Sequence, residues 1–209
     1  MNHIAELIKR FPVLECCKTQ IEEATERIIA CYKADGTVLL CGNGSSSADA
    51  QHIAGELMKE FCKKRPLSGA IKEQLILVNS ERGYFLAEKL QVPLRAICLN
   101  GLPALSTAFA NDVDPVLVLA QQAFAYSREN DVLIGISTSG NAENVIMAAV
   151  AAKSRGAYTI GLSGNTGGNM NDVYDLMIKV PETETYRIQE LHVPVYHAIC
   201  LEVEEAFFD

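Results

Sequence analysis

The chain has 209 residues, 49% hydrophobic and 21% charged, which is enough for one buried core and too few for two ordinary domains. Its net charge of −8 repels nucleic acid and anionic membranes, and no basic stripe or aromatic platform offers a nucleic-acid face. No apolar run nears the ~20 residues of a membrane span, and the opening Met1-Asn2-His3-Ile4-Ala5-Glu6 lacks the regions of a signal peptide, so a cytoplasmic protein is expected.

In chain order, residues 2–34 space their apolar side chains as a helix does, with Ile21, Ala24, Ile28 and Ile29 on one face. Pro12 interrupts this segment and Asp35-Gly36 ends it. A strand is expected at 37–41, then a helix over 46–61 with Ser46 as N-cap and Asp49 as capping acid. Residues 62–92 show little beyond a short helix over 80–90, and Lys63, Lys64 and Arg65 could reach a phosphate but read rather as a solvated helix end. Further strands are expected at 94–98, 132–136, 158–162 and 175–180, with helices near 103–110, 115–127, 141–155 and 185–207. This alternation is that of an α/β protein, a parallel five-stranded sheet with helices on both faces behind a long N-terminal helix. No linker divides 1–209, so a single domain is expected. The seven cysteines (Cys16, Cys17, Cys31, Cys41, Cys62, Cys98, Cys200) form no CxxC pair and read as reduced, mostly buried thiols.

Two of the strands run into serine-rich loops that open helices. Val38-Leu39-Leu40-Cys41 leads into Gly42-Asn43-Gly44-Ser45-Ser46-Ser47, and Val132-Leu133-Ile134-Gly135-Ile136 into Ser137-Thr138-Ser139-Gly140-Asn141. A helix N-terminus offers unpaired N–H groups and the positive end of its dipole, and small hydroxyls add donors without bulk. Two such loops suggest a clamp around one phosphate, at the strand ends where open α/β sheets bind ligands. Ser47 stands where the third glycine of a dinucleotide fingerprint belongs, and no Gly-Lys-Ser or Gly-Lys-Thr forms a triphosphate loop. No nucleotide cofactor is expected.

His52 and Glu56 lie four residues apart, on one face of the helix that the first loop opens. A phosphate at the start of that helix would leave a sugar extending towards them. A second cluster, Arg187-Ile188-Gln189-Glu190-Leu191-His192-Val193-Pro194-Val195-Tyr196-His197, holds two more of the four histidines. His197 has apolar neighbours and is expected to be partly buried, while His192 faces another side of the helix and reads as structural. Gln189 and His197 are about 12 Å apart along one helix. Either only one of them contacts a small ligand, or Gln189 precedes the regular helix, or the two come from different subunits.

The run from Cys41 to His52 with Glu56, followed by Asn111-Asp112, the second serine loop, and Arg187-Ile188-Gln189-Glu190 ahead of His197, resembles the sugar isomerase (SIS) domain. More narrowly it is similar to the phosphoheptose isomerases, which act on sedoheptulose 7-phosphate. The resemblance implies a three-layer αβα sandwich of SIS type and a homotetramer with active sites at subunit interfaces. It implies a phosphosugar ketose–aldose isomerase that makes D-glycero-D-manno-heptose 7-phosphate through an enediol. Ser46, Ser137, Thr138 and Ser139 would bind phosphate. Asn43 and Asp112 would contact the sugar, with Gly44 and Gln189 also at the substrate. Glu56 would be the general base and His197 the partnering acid. Some members hold zinc through the residues matching His52, Glu56, Gln189 and His197, and two histidines with a carboxylate suit that ion.

The chain also departs from the family pattern. Ala142 replaces a phosphate-binding serine, Tyr186 an aspartate and Ser47 a histidine, and residues 62–92 form a variable insertion. A non-catalytic sugar-phosphate sensor or protein-binding module on the same fold, or an isomerase of another phosphosugar, are the competing readings. The presence of both Glu56 and His197 favours an enzyme.

Overall fold

The computed structural model describes residues 2–208. The helices are α1 (His3–Arg10), α2 (Lys18–Lys33), α3 (Ser45–Met58), α4 (Gly69–Val78), α5 (Ser80–Lys89), α6 (Pro103–Asp112), α7 (Val118–Tyr126), α8 (Glu143–Ser154) and α9 (Thr185–Phe207). The strands are β1 (Val38–Gly42), β2 (Ala96–Cys98), β3 (Val132–Ile136), β4 (Tyr158–Ser163) and β5 (Leu176–Lys179). As Pro12 leads one to expect, the N-terminal helical segment is broken. A 3-10 turn at Pro12–Cys17 separates α1 from α2, and Glu202 on α9 accepts the N–H of His3 and, at 3.2 Å, that of Ile4, pinning the start of α1.

All five strands are parallel, in the order β2-β1-β3-β4-β5. β1 and β3 are buried at every position, as strands covered on both faces must be. Alternate residues of β1 feed two cores. Val38 and Leu40 join Ile21, Ile28, Ile53 and Val195, so α2, α3 and α9 cover one face. Leu39 and Cys41 join Leu119, Ala148 and Ala149, so α7 and α8 cover the other, which makes the three-layer αβα sandwich.

From the centre the chain winds one way from β1 to β2 and the other way from β3 through β4 to β5, placing the switch point between β1 and β3. Gly42 is the register partner of Ile136. The two serine loops therefore leave the sheet at the same level from neighbouring strands, ~4.8 Å apart. This register sets the two serine loops side by side.

Most elements match their expected ranges to within about three residues, and the two larger differences lie in α3 and in the segment after it. α3 ends at Met58 because Lys59 turns extended (φ −136°, ψ 173°). Residues 69–89 form a helical hairpin of two helices where one was expected. Ser68 accepts the N–H of Ile71 to cap α4, and Asn79 accepts that of Arg82 to cap α5. No residue of α4 is buried, with Leu77 85% and Val78 88% exposed, so the hydrophobic periodicity that would reveal it is absent. Among the described residues, no helix is long and apolar enough to cross a membrane.

Candidate active site

The first loop turns at Gly44, whose φ of 55° favours a residue without a side chain. Gly44, not Ser46, is the N-cap of α3. Ser46 lies within the first turn, buried, with its N–H donating to the Asn43 carbonyl (3.0 Å). Among the described residues, no side chain caps α3 or α8, leaving both helix ends to an outside acceptor. Ser137 is buried, Thr138 half-buried and Ser139 exposed along the second loop. Gly140 (φ 69°) has no room for a Cβ, which would lie 2.0 Å from the Gly167 carbonyl oxygen.

The loops are tied together and to their surroundings. Asn43 and Asn144 exchange amide hydrogen bonds (2.8 and 2.9 Å), joining the first loop to the first turn of α8. Asn100 brackets Gly42, accepting its N–H (3.3 Å) and donating to its carbonyl (2.9 Å). Asp112 closes α6, exposed, with its carboxylate accepting from Asn111 (2.9 Å). Gln189 donates to Ser45 Oγ at 2.6 Å, so it serves the first loop and not the His197 end of α9.

One helical turn places His52 Nε2 3.2 Å from Glu56 Oε1. His197 comes to them from α9, its ring centroid 5.0 Å from that of His52. Glu56 is 13% exposed, and its other oxygen meets Lys59 Nζ at 3.2 Å. Burial holds the His197 imidazole below its ordinary value, reinforced by His52 and opposed by Glu56. His197 Nε2 is buried with no hydrogen-bond partner among the described residues. The sequence-derived trio His52, Glu56 and His197 is thus brought together within one chain.

As donors these side chains suit zinc in kind, but they do not form a ready centre. Among the described residues, no group of three or more His, Cys, Asp or Glu could hold a metal ion. Gln189 is engaged by Ser45, and the Glu56 carboxylate by His52 and Lys59.

Several supporting residues escaped the sequence reading. Asp49 does not cap α3. Its carboxylate accepts from the Tyr196 hydroxyl (3.2 Å), and Tyr196 Oη lies 3.0 Å from His52 Nδ1. Arg65 is no solvated end, being 1% exposed and paired with fully buried Glu204 at 2.8 Å. Its guanidinium also donates to the carbonyls of Leu57 (2.6 Å) and Glu56 (3.2 Å), fixing the end of α3. Glu204 further accepts the N–H groups of Phe61, Cys62 and Lys63. A lone charge in a basic run gives no sign of a partner so distant in sequence. His192 is fully buried, on the side of α9 away from the His52–Glu56–His197 group. Every cysteine is free, and burial pushes Cys41 and Cys200 up to about 12, away from reactive thiolate.

The sequence matches the SIS domain family over residues 1–92 and 82–164. It is 37% identical over 190 residues to a phosphoheptose isomerase of Rhodospirillum rubrum, covering 91% of this chain and 87% of that protein. To one from a Nitratiruptor species it is 39% identical over 195 residues, covering 93% and 90%. The solved phosphoheptose isomerase of Neisseria gonorrhoeae superimposes with a TM-score of 0.75 at 33% identity, covering 97% of this chain and 95% of that one.

Proposed function

The chain belongs to the SIS domain family and, within it, to the phosphoheptose isomerases, and on that premise we propose that it converts sedoheptulose 7-phosphate to D-glycero-D-manno-heptose 7-phosphate. Such an enzyme is an aldose–ketose isomerase, an intramolecular oxidoreductase. The observation that carries the reading is the convergence of His52, Glu56 and His197 on the face of α3 that begins at the serine clamp.

Ser46, Ser137, Thr138 and Ser139 take the phosphate, with the helix ends contributing their dipoles. Ser46 and His52 lie ~9 Å apart along α3, the span of a sugar chain and not of a phosphate alone. Asn43, Gly44, Asp112 and Gln189 border the sugar. Glu56 removes the proton from carbon 1 of the ketose, giving a cis-enediol(ate), and returns a proton to carbon 2. His197, with its free buried nitrogen, moves the proton between the two oxygens as carbonyl and hydroxyl exchange. Zinc binding by His52, Glu56, Gln189 and His197 would require Gln189 to leave Ser45 and Glu56 to release Lys59. The arrangement does not fit that ion, and no step here uses it.

The uncovered apolar residues of the hairpin and α6, among them Leu77, Val78, Phe85 and Leu105, support a homotetramer of single-domain subunits with sites near their interfaces. The reduced thiols suit the cytoplasm. The test is turnover of sedoheptulose 7-phosphate in deuterium oxide. The expected product is an aldose phosphate deuterated at carbon 2. Aldose formed without solvent deuterium would favour direct hydride transfer, and no aldose at all would overturn the reading.

A further inference from the structure

β2 ends before the strand it pairs with. Leu40 is the register partner of Cys98, so two residues on, the same pairing would set Gly42 opposite residue 100. The backbone instead leaves the sheet in a 3-10 turn at Leu99–Gly101. The N–H and carbonyl of Gly42 are met by a side chain. Asn100 Oδ1 accepts the Gly42 N–H at 3.3 Å, and Asn100 Nδ2 donates to the Gly42 carbonyl at 2.9 Å. A peptide N–H can only donate and its carbonyl can only accept, so the two contacts orient this amide one way. Cys98 Sγ lies 3.9 Å from the same Oδ1. The half-buried Asn100 amide thus stands in for the peptide of a strand that has turned away. Gly42 in turn carries the start of α3. A Cβ at Gly42 would lie 2.6 Å from the Ser46 carbonyl oxygen and 2.9 Å from the Ser46 Cβ, so the first turn of α3 rests directly on it. The far end of α3 is held separately, by Arg65 on the carbonyls of Glu56 and Leu57.

We propose that Asn100 is a positioning residue for the phosphate end of the site: by closing the sheet ladder at Gly42 with its side chain, it seats the first turn of α3 and with it Ser46. This deepens the isomerase reading and rests on it for its kinetic consequence. The closure of the ladder follows from the contacts alone. A side chain does here what a longer strand could not. β1 stays paired to its last residue, while the backbone after β2 is free to turn out of the sheet into α6, which ends at Asp112. Because α3 is anchored at its two ends by different residues, loosening Gly42 should disturb Ser46 more than His52 and Glu56, which lie towards the end that Arg65 holds.

The test has two arms. The first is hydrogen exchange of the Gly42 amide, followed by NMR of the nitrogen-15-labelled, ligand-free, full-length protein. The wild-type amide should be protected, and Asn100→Leu, which removes both bonds at similar size, should speed its exchange about tenfold or more. The second arm is steady-state turnover of sedoheptulose 7-phosphate. Asn100→Leu should raise KM about tenfold, the order expected for one or two lost hydrogen bonds, and leave kcat within about twofold. Asn100→Asp keeps an acceptor for the Gly42 N–H but loses the donor, setting a carboxylate oxygen against the Gly42 carbonyl. It should raise KM as well while its Gly42 amide stays protected, and it keeps the test open if Asn100→Leu does not fold. An asparagine that served stability alone would lower Tm and leave KM unchanged in the folded protein. Gly42 exchange no faster in Asn100→Leu, KM unmoved in the folded variants, or a fall in kcat without a change in KM would overturn the proposal. The exchange arm needs no substrate, so its failure is separate from failure of the isomerase assignment.

Discussion

Replacing Arg65 by methionine should cost more than any other single change behind the active site. The guanidinium is 1% exposed and its partner Glu204 is 0% exposed. Loss of the cation leaves a carboxylate buried with only the N–H groups of Phe61, Cys62 and Lys63, and it strips donors from the carbonyls of Leu57 and Glu56. Removing one partner of a buried pair costs ~3–5 kcal/mol. At ~2–4 °C per kcal/mol for a chain of this size, Tm should drop by about 6–20 °C. Adding Glu204→Leu should not restore stability, because those backbone N–H groups would then lack an acceptor, at ~1–3 kcal/mol each. Adding Glu204→Gln, which keeps one accepting oxygen, should restore part of it. Burial raises the Glu204 carboxyl, but the N–H groups of Phe61 and Cys62 and the Arg65 guanidinium outweigh it, and the net shift is downward. The folded form therefore binds protons less readily than the unfolded one. The stabilisation is full above the unfolded value of about 4.3 and fades as pH falls through the lower folded value. The assay is reversible urea unfolding at fixed protomer concentration, since assembly alters apparent stability. A loss below ~1 kcal/mol for Arg65→Met, or no coupling in the double-mutant cycle, would refute the reasoning.

Other outcomes follow from single contacts. Gly140→Ala forces a side chain at φ 69° into the Gly167 carbonyl, so substrate KM should rise severalfold with little change in the pH dependence of kcat, as steady-state kinetics would show. Gly135→Ala places its Cβ 2.0 Å from Tyr174 Oη and should destabilise the fold by ~1–3 kcal/mol. Tyr174→Phe in the same chain should recover part of that loss in denaturant titrations, although it gives up the bond to the Val145 carbonyl (2.9 Å). Burial pushes His192 down to about 4, against a smaller upward pull from the Ser163 backbone. With its folded value depressed, stability should fall as pH drops from about 6.5 and level off below about 4, by about 3 kcal/mol in all. His192→Gln should flatten that part of the profile if the variant folds with normal Tm at neutral pH.

The strands were legible because β1 and β3 are continuous apolar runs between turn signals, and β3 falls on the expected 132–136. α9 was equally clear over 185–207 despite Pro194 within it, since its buried residues recur at helical spacing. The hairpin was not legible, because α4 buries nothing. The serine loops could be read as a clamp, but their adjacency comes from the Gly42–Ile136 register, which no local pattern encodes. His52 and Glu56 were paired by helical spacing. The arrival of His197 beside them was suggested by resemblance and brought about by the packing of α3 against α9. Asp49 shows the limit well: its position three residues after Ser46 fits a capping acid, yet the turn at Gly44 moves the N-cap and frees Asp49 to meet Tyr196.

The most direct measurement is NMR of purified protein with sedoheptulose 7-phosphate, with and without added zinc, beside the Glu56→Gln and His197→Ala variants. Wild-type protein should convert the ketose to an aldose phosphate. Both variants should retain sugar-phosphate binding while losing roughly 10²–10⁴-fold in turnover. Undiminished turnover in Glu56→Gln, or a wild-type protein that binds the sugar phosphate and leaves it unchanged under both conditions, would contradict the assignment of this site to isomerisation.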